Sequence, residues 1–324
     1  MRGMHFGFSL PGRGPLATPD ALTKLARKAD ALRYSSLFVT DHVVIPTSYS
    51  SPYPYAPSGR FTGDWTNGYL EPLALMGVLA GLTSRVKLGT SVLVVPYRNP
   101  VVTAKMLATM DVMSGGRLIL GAGVGWMREE FETLQAPQFE HRGRVTDEYL
   151  RLMREMWTKE PAQFTGVHYR LPPVSAMPKP LQKGGIPIWI GGHTDAALRR
   201  TGELADAWHP IGMRPPAMLL PDEYAQKVQI IRGWARKAGR DPKDITLSLR
   251  VPLELAGKRG NVGVSDQPGF RGSAADVVRH IKSYQALGVS HFVFDLAPPD
   301  LRGQLALMER FAKEVRPKVL RAPR

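Results

Sequence analysis

The stretch Arg85–Glu130 reads RVKLGTSVLVVPYRNPVVTAKMLATMDVMSGGRLILGAGVGWMREE. It holds two short apolar runs, Lys87–Val95 and Arg117–Ala122, with a helical pattern between them. Short buried strands separated by an amphipathic helix make a βαβ unit of a parallel sheet. Each run ends in small polar residues or glycine, Thr90-Ser91 and Gly121-Ala122-Gly123-Val124-Gly125. In α/β folds the C-terminal ends of strands are where ligands sit.

The unit repeats along the chain. Strands are expected at Met4–Leu10, Ser36–Thr40, Val86–Val94, Arg117–Ala122, Ile186–Ile190, Ala207–Ile211, Ile245–Val251 and His291–Leu296. Helical patterns follow each, at Thr18–Leu32, Glu71–Leu82, Val101–Met113, Thr146–Trp157, Asp195–Glu203, Pro221–Ala238, Ala274–Leu287 and Leu301–Val315. Thr18-Pro19-Asp20 places a capping threonine before a proline, and Ala238-Gly239 closes a helix with glycine. Strand–helix alternation of this kind predicts a closed (β/α)8 TIM barrel, read as one domain over residues 1–324. Insertions are expected after strand two (Val43–Tyr69, rich in proline, serine and aromatics), around helix four (Gln135–Arg144 and Lys159–Gly185) and after strand seven (Leu255–Gly272). Those after strands two and seven fall at the C-terminal mouth.

Composition narrows the chemistry. The chain has no cysteine, which excludes disulfides, thiolate metal sites and a cysteine nucleophile. It has no HExxH, no close His/Asp/Glu cluster and no GxSxG elbow, so no metal is expected and serine hydrolysis loses ground. No stretch approaches the ~20 apolar residues of a membrane span. The N-terminal MRGMHFGFSLPG reads as a first strand rather than a signal peptide, and a cytoplasmic location is expected. The formal charge of +15 raises a non-catalytic polyanion-binding barrel as a distant alternative. The arginines recur singly and no nucleic-acid motif accompanies them, so solvated helix faces explain the charge and no nucleic-acid partner is expected.

Three places carry candidate chemistry. Asp41-His42 end strand two, where a histidine can donate to a flat ring or exchange a proton near neutral pH, against the alternative of a capping aspartate beside a structural histidine. Gly191-Gly192-His193-Thr194 leads from strand five straight into a helix, and amides at a helix N-terminus bind phosphate. Gly121–Gly125 follows the neighbouring strand; its alternate glycines allow close backbone approach, and the two turns together suggest one phosphate site. A phosphate-bearing organic cofactor fits this set.

MHFGFSLPGRG, SLFVTDHVVIP, the Arg85–Glu130 stretch and PIWIGGHTDAALRRTGELADAWHP together resemble the luciferase-like (bacterial luciferase superfamily) oxidoreductases, nearest to the coenzyme F420-dependent branch. The resemblance covers nearly the whole chain. It implies a TIM barrel with a deazaflavin, or alternatively FMN, at the mouth, and family members are often homodimers. In matched positions His42 lies beside the ring with Asp41 supporting it. A non-proline cis peptide falls at Ser91–Val92, following Thr90, and presses on the face of the ring; Val124-Gly125 and Gly191-Gly192-His193-Thr194 hold the phosphate. Trp126 stands where the F420-dependent sugar-phosphate dehydrogenases carry a catalytic glutamate, which disfavours that activity. Glu129 and Glu130, a helical turn away, read as first-turn helix charges. The expected function is an F420-dependent oxidoreductase moving a hydride to or from an apolar or planar small molecule, with Trp65 and Trp126 lining the substrate pocket. An FMN-dependent monooxygenase of the same fold is the alternative.

Overall fold

The computed structural model describes residues 3–61, 68–256 and 268–320. Parallel strands β1 (His5–Ser9), β2 (Ser36–Val39), β3 (Lys87–Thr90), with its continuation β4 (Leu93–Val94), and β5 (Leu118–Gly123) form the first half of a sheet. An antiparallel hairpin, β6 (Ala162–Thr165) and β7 (Arg170–Val174), interrupts the series. The sheet resumes with β8 (Ile188–Ile190), β9 (Ala207–Trp208), β10 (Thr246–Leu255), the short β11 (Phe270–Gly272) at the end of β10, and β12 (Val289–Leu296). β1 pairs with both β2 and β12, and β9 bridges β8 to β10, so the sheet closes into an eight-stranded (β/α)8 barrel.

Helices α1 (Pro19–Ala31), α2 (Pro72–Leu82), α3 (Pro100–Ser114), α4 (Arg128–Thr133), α5 (Arg142–Thr158), α6 (Asp195–Leu204), α7 (Pro221–Lys237), α8 (Ala274–Gln285), α9 (Leu301–Arg310) and α10 (Arg316–Leu320) surround it. α1 shows how sequence makes such a helix. Thr18 caps it by accepting from Ala21 N–H, Pro19 occupies the first turn, and Leu22, Leu25, Ala26 and Ala29 bury one stripe. Strands buried on both faces divide their side chains: Leu37 and Val39 of β2 pack outward under the helices, while Phe38 points into the barrel with Ile119, Trp189 and Val293. Phe38, Trp189, His209 and His291 pack inside, Phe38 stacked on His209 and Trp189 edge-on to His291, with ring centroids 4.9 Å apart in both pairs. Gly89 leaves the room, since a Cβ there would lie 2.6 Å from the Phe38 ring.

The differences from the expected boundaries have local causes. The expected loop Lys159–Gly185 contains the β6–β7 hairpin, whose strands are short and largely exposed and carry Pro172 and Pro173, which masks alternation. Strand six is Ala207–Trp208, with Ile211 making an isolated bridge to Arg250, because Pro210 lacks a donor. Helix four begins at Arg142, inside the expected loop Gln135–Arg144. The last helix passes through a π-helical turn at Phe311–Val315 before α10. The middle of the loop after strand seven lies outside the described residues.

Candidate active site

The C-terminal ends of β2, β3, β5, β8, β10 and β12 converge on one mouth. His42, just beyond β2, is buried and hydrogen-bonds through Nδ1 to Glu130 Oε2 at 2.6 Å. Glu130 is fully buried and also accepts from Tyr97 Oη at 2.9 Å and from the backbone N–H groups of Val43 and Val44 at 2.8 and 3.3 Å. With the carboxylate as acceptor, Nδ1 carries the hydrogen, which leaves Nε2 on the other side of the ring. This corrects two expectations. Glu130 is the partner of His42 rather than a solvated helix charge, and Asp41 spends its carboxylate elsewhere. Asp41 takes a bidentate pair from Arg98, at 2.7 and 2.8 Å, and the Val94 N–H at 2.8 Å. Burial pushes the Asp41 carboxyl up, opposed by Arg98. Its role is to hold the chain at β4, beside the ledge described next.

The Ser91–Val92 peptide between β3 and β4 is cis. Arg250 of β10 donates to the Ser91 carbonyl at 2.8 Å and to Ser91 Oγ at 3.0 Å, and His209 Nε2 meets the same hydroxyl at 2.9 Å. His209 Nδ1 pairs with Ser248 Oγ at 2.7 Å. Burial, with Arg250 adding repulsion, holds the His209 imidazole down to about 3. Val92 reaches between the ends of β5 and β8, where Cβ atoms on Gly123 and Gly191 would lie 2.4 and 2.7 Å from its methyls. Thr90 is buried, its hydroxyl donating to the Gly121 carbonyl at 2.7 Å, so it supports the ledge from beneath.

The glycine turns leave adjacent strands at one level. Ala122 pairs with Ile190, and Gly191 N–H donates to the Ala122 carbonyl at 3.0 Å. Val124 leads into Gly125 at φ 81°, and Gly192 has φ 80°, conformations that favour glycine. Trp208 Nε1 fixes the Gly192 carbonyl at 2.9 Å, Lys227 Nζ meets the His193 carbonyl at 3.1 Å, and Thr194 caps α6. Burial, with Lys227 nearby, pushes the His193 imidazole down. Glycine at 123 and 191 lets Val92 seat between the two turns, and the α6 N-terminus lies beside them with its backbone amides available to an anion.

Aromatic residues roof the mouth. Phe61 lies 4.9 Å from His42, and Trp126 lies 5.5 Å from Phe61 and 5.1 Å from Tyr53. The loop after β2 is fastened to α4 by consecutive carboxylates: Glu130 holds Val43 and Val44, and Glu129 accepts from Ser50 and Ser51. Burial opposes the Glu129 charge, yet the Ser50 and Ser51 donors hold its carboxyl down to about 2. Trp126 therefore sits among the rings beside His42, while Trp65 lies outside the described residues. Sequence reasoning missed the Glu130–His42 pairing, Arg250, His209 and Arg214. The available signal for Glu130 was its position three residues after Met127 on the apolar side of a short helix that also buries Phe131.

The family description "Luciferase-like monooxygenase" matches residues 4–259. The chain belongs to this family. An uncharacterized protein of Mycobacterium tuberculosis (strain ATCC 25618 / H37Rv) is 31% identical over 267 residues, covering 81% of this chain and 90% of that one. Among solved structures, an F420-dependent secondary alcohol dehydrogenase in complex with an F420-acetone adduct superposes with a TM-score of 0.76 at 18% identity, over 99% of this chain and 100% of that one. The FMN-complexed oxygenating constituent of 3,6-diketocamphane monooxygenase from Pseudomonas putida gives 0.74 at 17% identity, over 99% and 100%. At these identities the structures establish the shared fold. The protein is a luciferase-like oxidoreductase of TIM-barrel fold.

Proposed function

We propose that the protein is a coenzyme F420-dependent oxidoreductase acting on an apolar or planar alcohol or carbonyl compound. The observation that supports it is the Glu130–His42 pair at the mouth: hydride transfer to or from a carbon bearing oxygen needs a matching proton at that oxygen, and His42 Nε2 can hold or give it. When bound, F420 supplies or accepts the hydride. The cis ledge and Val92 would lie behind its ring, and Val124-Gly125 with Gly191–Thr194 would hold its phosphate. The chain's own contribution is orientation, water exclusion under the aromatic roof, and the proton. Equilibrium titration of the purified protein with F420 and with FMN tests this. F420 binding in the micromolar range or tighter is expected, and tight FMN binding without F420 binding overturns it in favour of a flavin monooxygenase.

We further propose that the protein pairs with a second copy through α2 and α3. α2 is apolar on its outer as well as its inner face, exposing Val78, and α3 exposes Val102, Met106 and Met113. Light scattering should give the mass of a dimer, and Val78→Asp should shift it toward the monomer; a monomeric parent protein overturns the assignment.

A further inference from the structure

Beside the His42 site lies a charged group that proton transfer does not use. Asp295, at the end of β12, receives Arg250 on Oδ1 at 2.7 Å and Arg214 Nη2 on Oδ2 at 2.6 Å. Two guanidinium groups therefore share one carboxylate, and Arg13 lies over the Phe61 ring of the aromatic roof. The two arginines differ in what they have left to give. Arg250 is nearly buried and fully engaged, on Asp295, Ser91 and Ser9. Arg214 is 39% exposed and its guanidinium makes one hydrogen bond among the described residues, so most of its five donors are left for a ligand.

Its backbone is held in a tight turn. Met213 N–H donates to the Met218 carbonyl at 2.9 Å and Arg214 N–H to the Ala217 carbonyl at 3.1 Å, with Met213 at φ 54°. Tyr53, on the aromatic loop, lies in the field of Arg214, Arg250, Arg13 and Asp295, and its phenol has no hydrogen-bond partner among the described residues. The Arg214 guanidinium and the Tyr53 phenol thus lie beside a cluster in which Tyr53, Phe61 and Trp126 pack against one another.

We propose that Arg214 and Tyr53 recognise a carboxylate on the substrate, whose planar body stacks in the aromatic box beside His42. This rests on the assignment of the mouth as the cofactor and substrate site. This cationic group, with Arg13 also over the Phe61 ring, suits an anion, and the guanidinium fork matches a carboxylate in two-point contact. Arg250 is the positioning residue: it holds Asp295, which holds Arg214, and it also holds the Ser91 ledge.

The test uses the full chain with its cofactor bound and two probes of equal shape, naphthoate and its neutral amide, naphthamide. Calorimetric titration should show naphthoate binding about tenfold tighter than naphthamide. Arg214→Gln should abolish the preference, Arg214→Lys should keep part of it, and Tyr53→Phe should weaken naphthoate alone. Equal affinity of the two probes overturns the proposal, as does a preference that survives Arg214→Gln. Loss of cofactor affinity in Arg214→Gln also overturns it, by placing Arg214 on the cofactor. The cofactor reading fails separately, if neither F420 nor FMN binds the parent protein, and repeating the probe titration on the unloaded chain then decides the carboxylate site alone.

Discussion

His42 and Glu130 are separated by 88 positions in sequence and by 2.6 Å in space. Deleting the imidazole in His42→Ala should lower turnover more than about tenfold, read from deazaflavin absorbance, because a positioned proton donor is worth at least that much. A near-normal rate removes His42 from the mechanism. Glu130→Gln keeps the shape but turns one acceptor into a donor facing His42, Tyr97 or two backbone N–H groups. It should cost about 1–3 kcal/mol of stability in a denaturant titration, as a buried group losing its partner does. At this scale the sequence was partly legible. His42 and the glycine turns stood out because strand ends are readable from periodicity. Glu130 did not, because a glutamate opening a helix is ordinary and its burial depends on the fold of the β2 loop.

At the level of elements, the eight strand–helix units were legible because the strands are short apolar runs and several helices carry their own stop or start. The β6–β7 hairpin was not, since its strands are short and largely exposed, burying Ala162 and Leu171 fully and Phe164 and Val174 in part. The meeting of β3, β5 and β8 at the mouth depends on glycines whose reason is visible only in three dimensions. Gly191→Ala would set a methyl 2.7 Å from Val92, which must move. The variant should remain folded by circular dichroism yet bind cofactor about tenfold more weakly, as a displacement costing 1–2 kcal/mol implies. Unchanged affinity would show that Val92 does not touch the ring.

Across the whole molecule, the +15 charge is partly an internal matter. Arg117 is buried and spends its guanidinium on the carbonyls of Ala80, Thr83, Val86 and Ser114, while Arg200 is buried against Asp147. The barrel also buries His209 and His291 in uncharged form, each pushed down chiefly by burial. Unfolded, both titrate near 6.5. Below that pH the unfolded chain takes up protons that the folded barrel refuses, so stability falls on acidification, by up to about 1.4 kcal/mol per pH unit for each histidine. The loss through His209 continues down to about pH 3. Melting temperatures measured from pH 7 to pH 4 should therefore decline, and His209→Gln should flatten the decline; an equal slope in the variant would place the acid sensitivity elsewhere.

The double fastening of the β2 loop to α4 sets a rule for anyone wishing to redesign this enzyme. Glu129 and Glu130 sit next to each other on one short helix, yet they pin different stretches of the same loop, and Glu130 in addition orients His42. A roof borrowed from a relative would have to bring its own donors to Glu129 and Glu130, while the Glu130–His42 bond lies outside the loop and would stay. Residues 43–61 and 126–133 are joined closely enough that a graft has to carry both together.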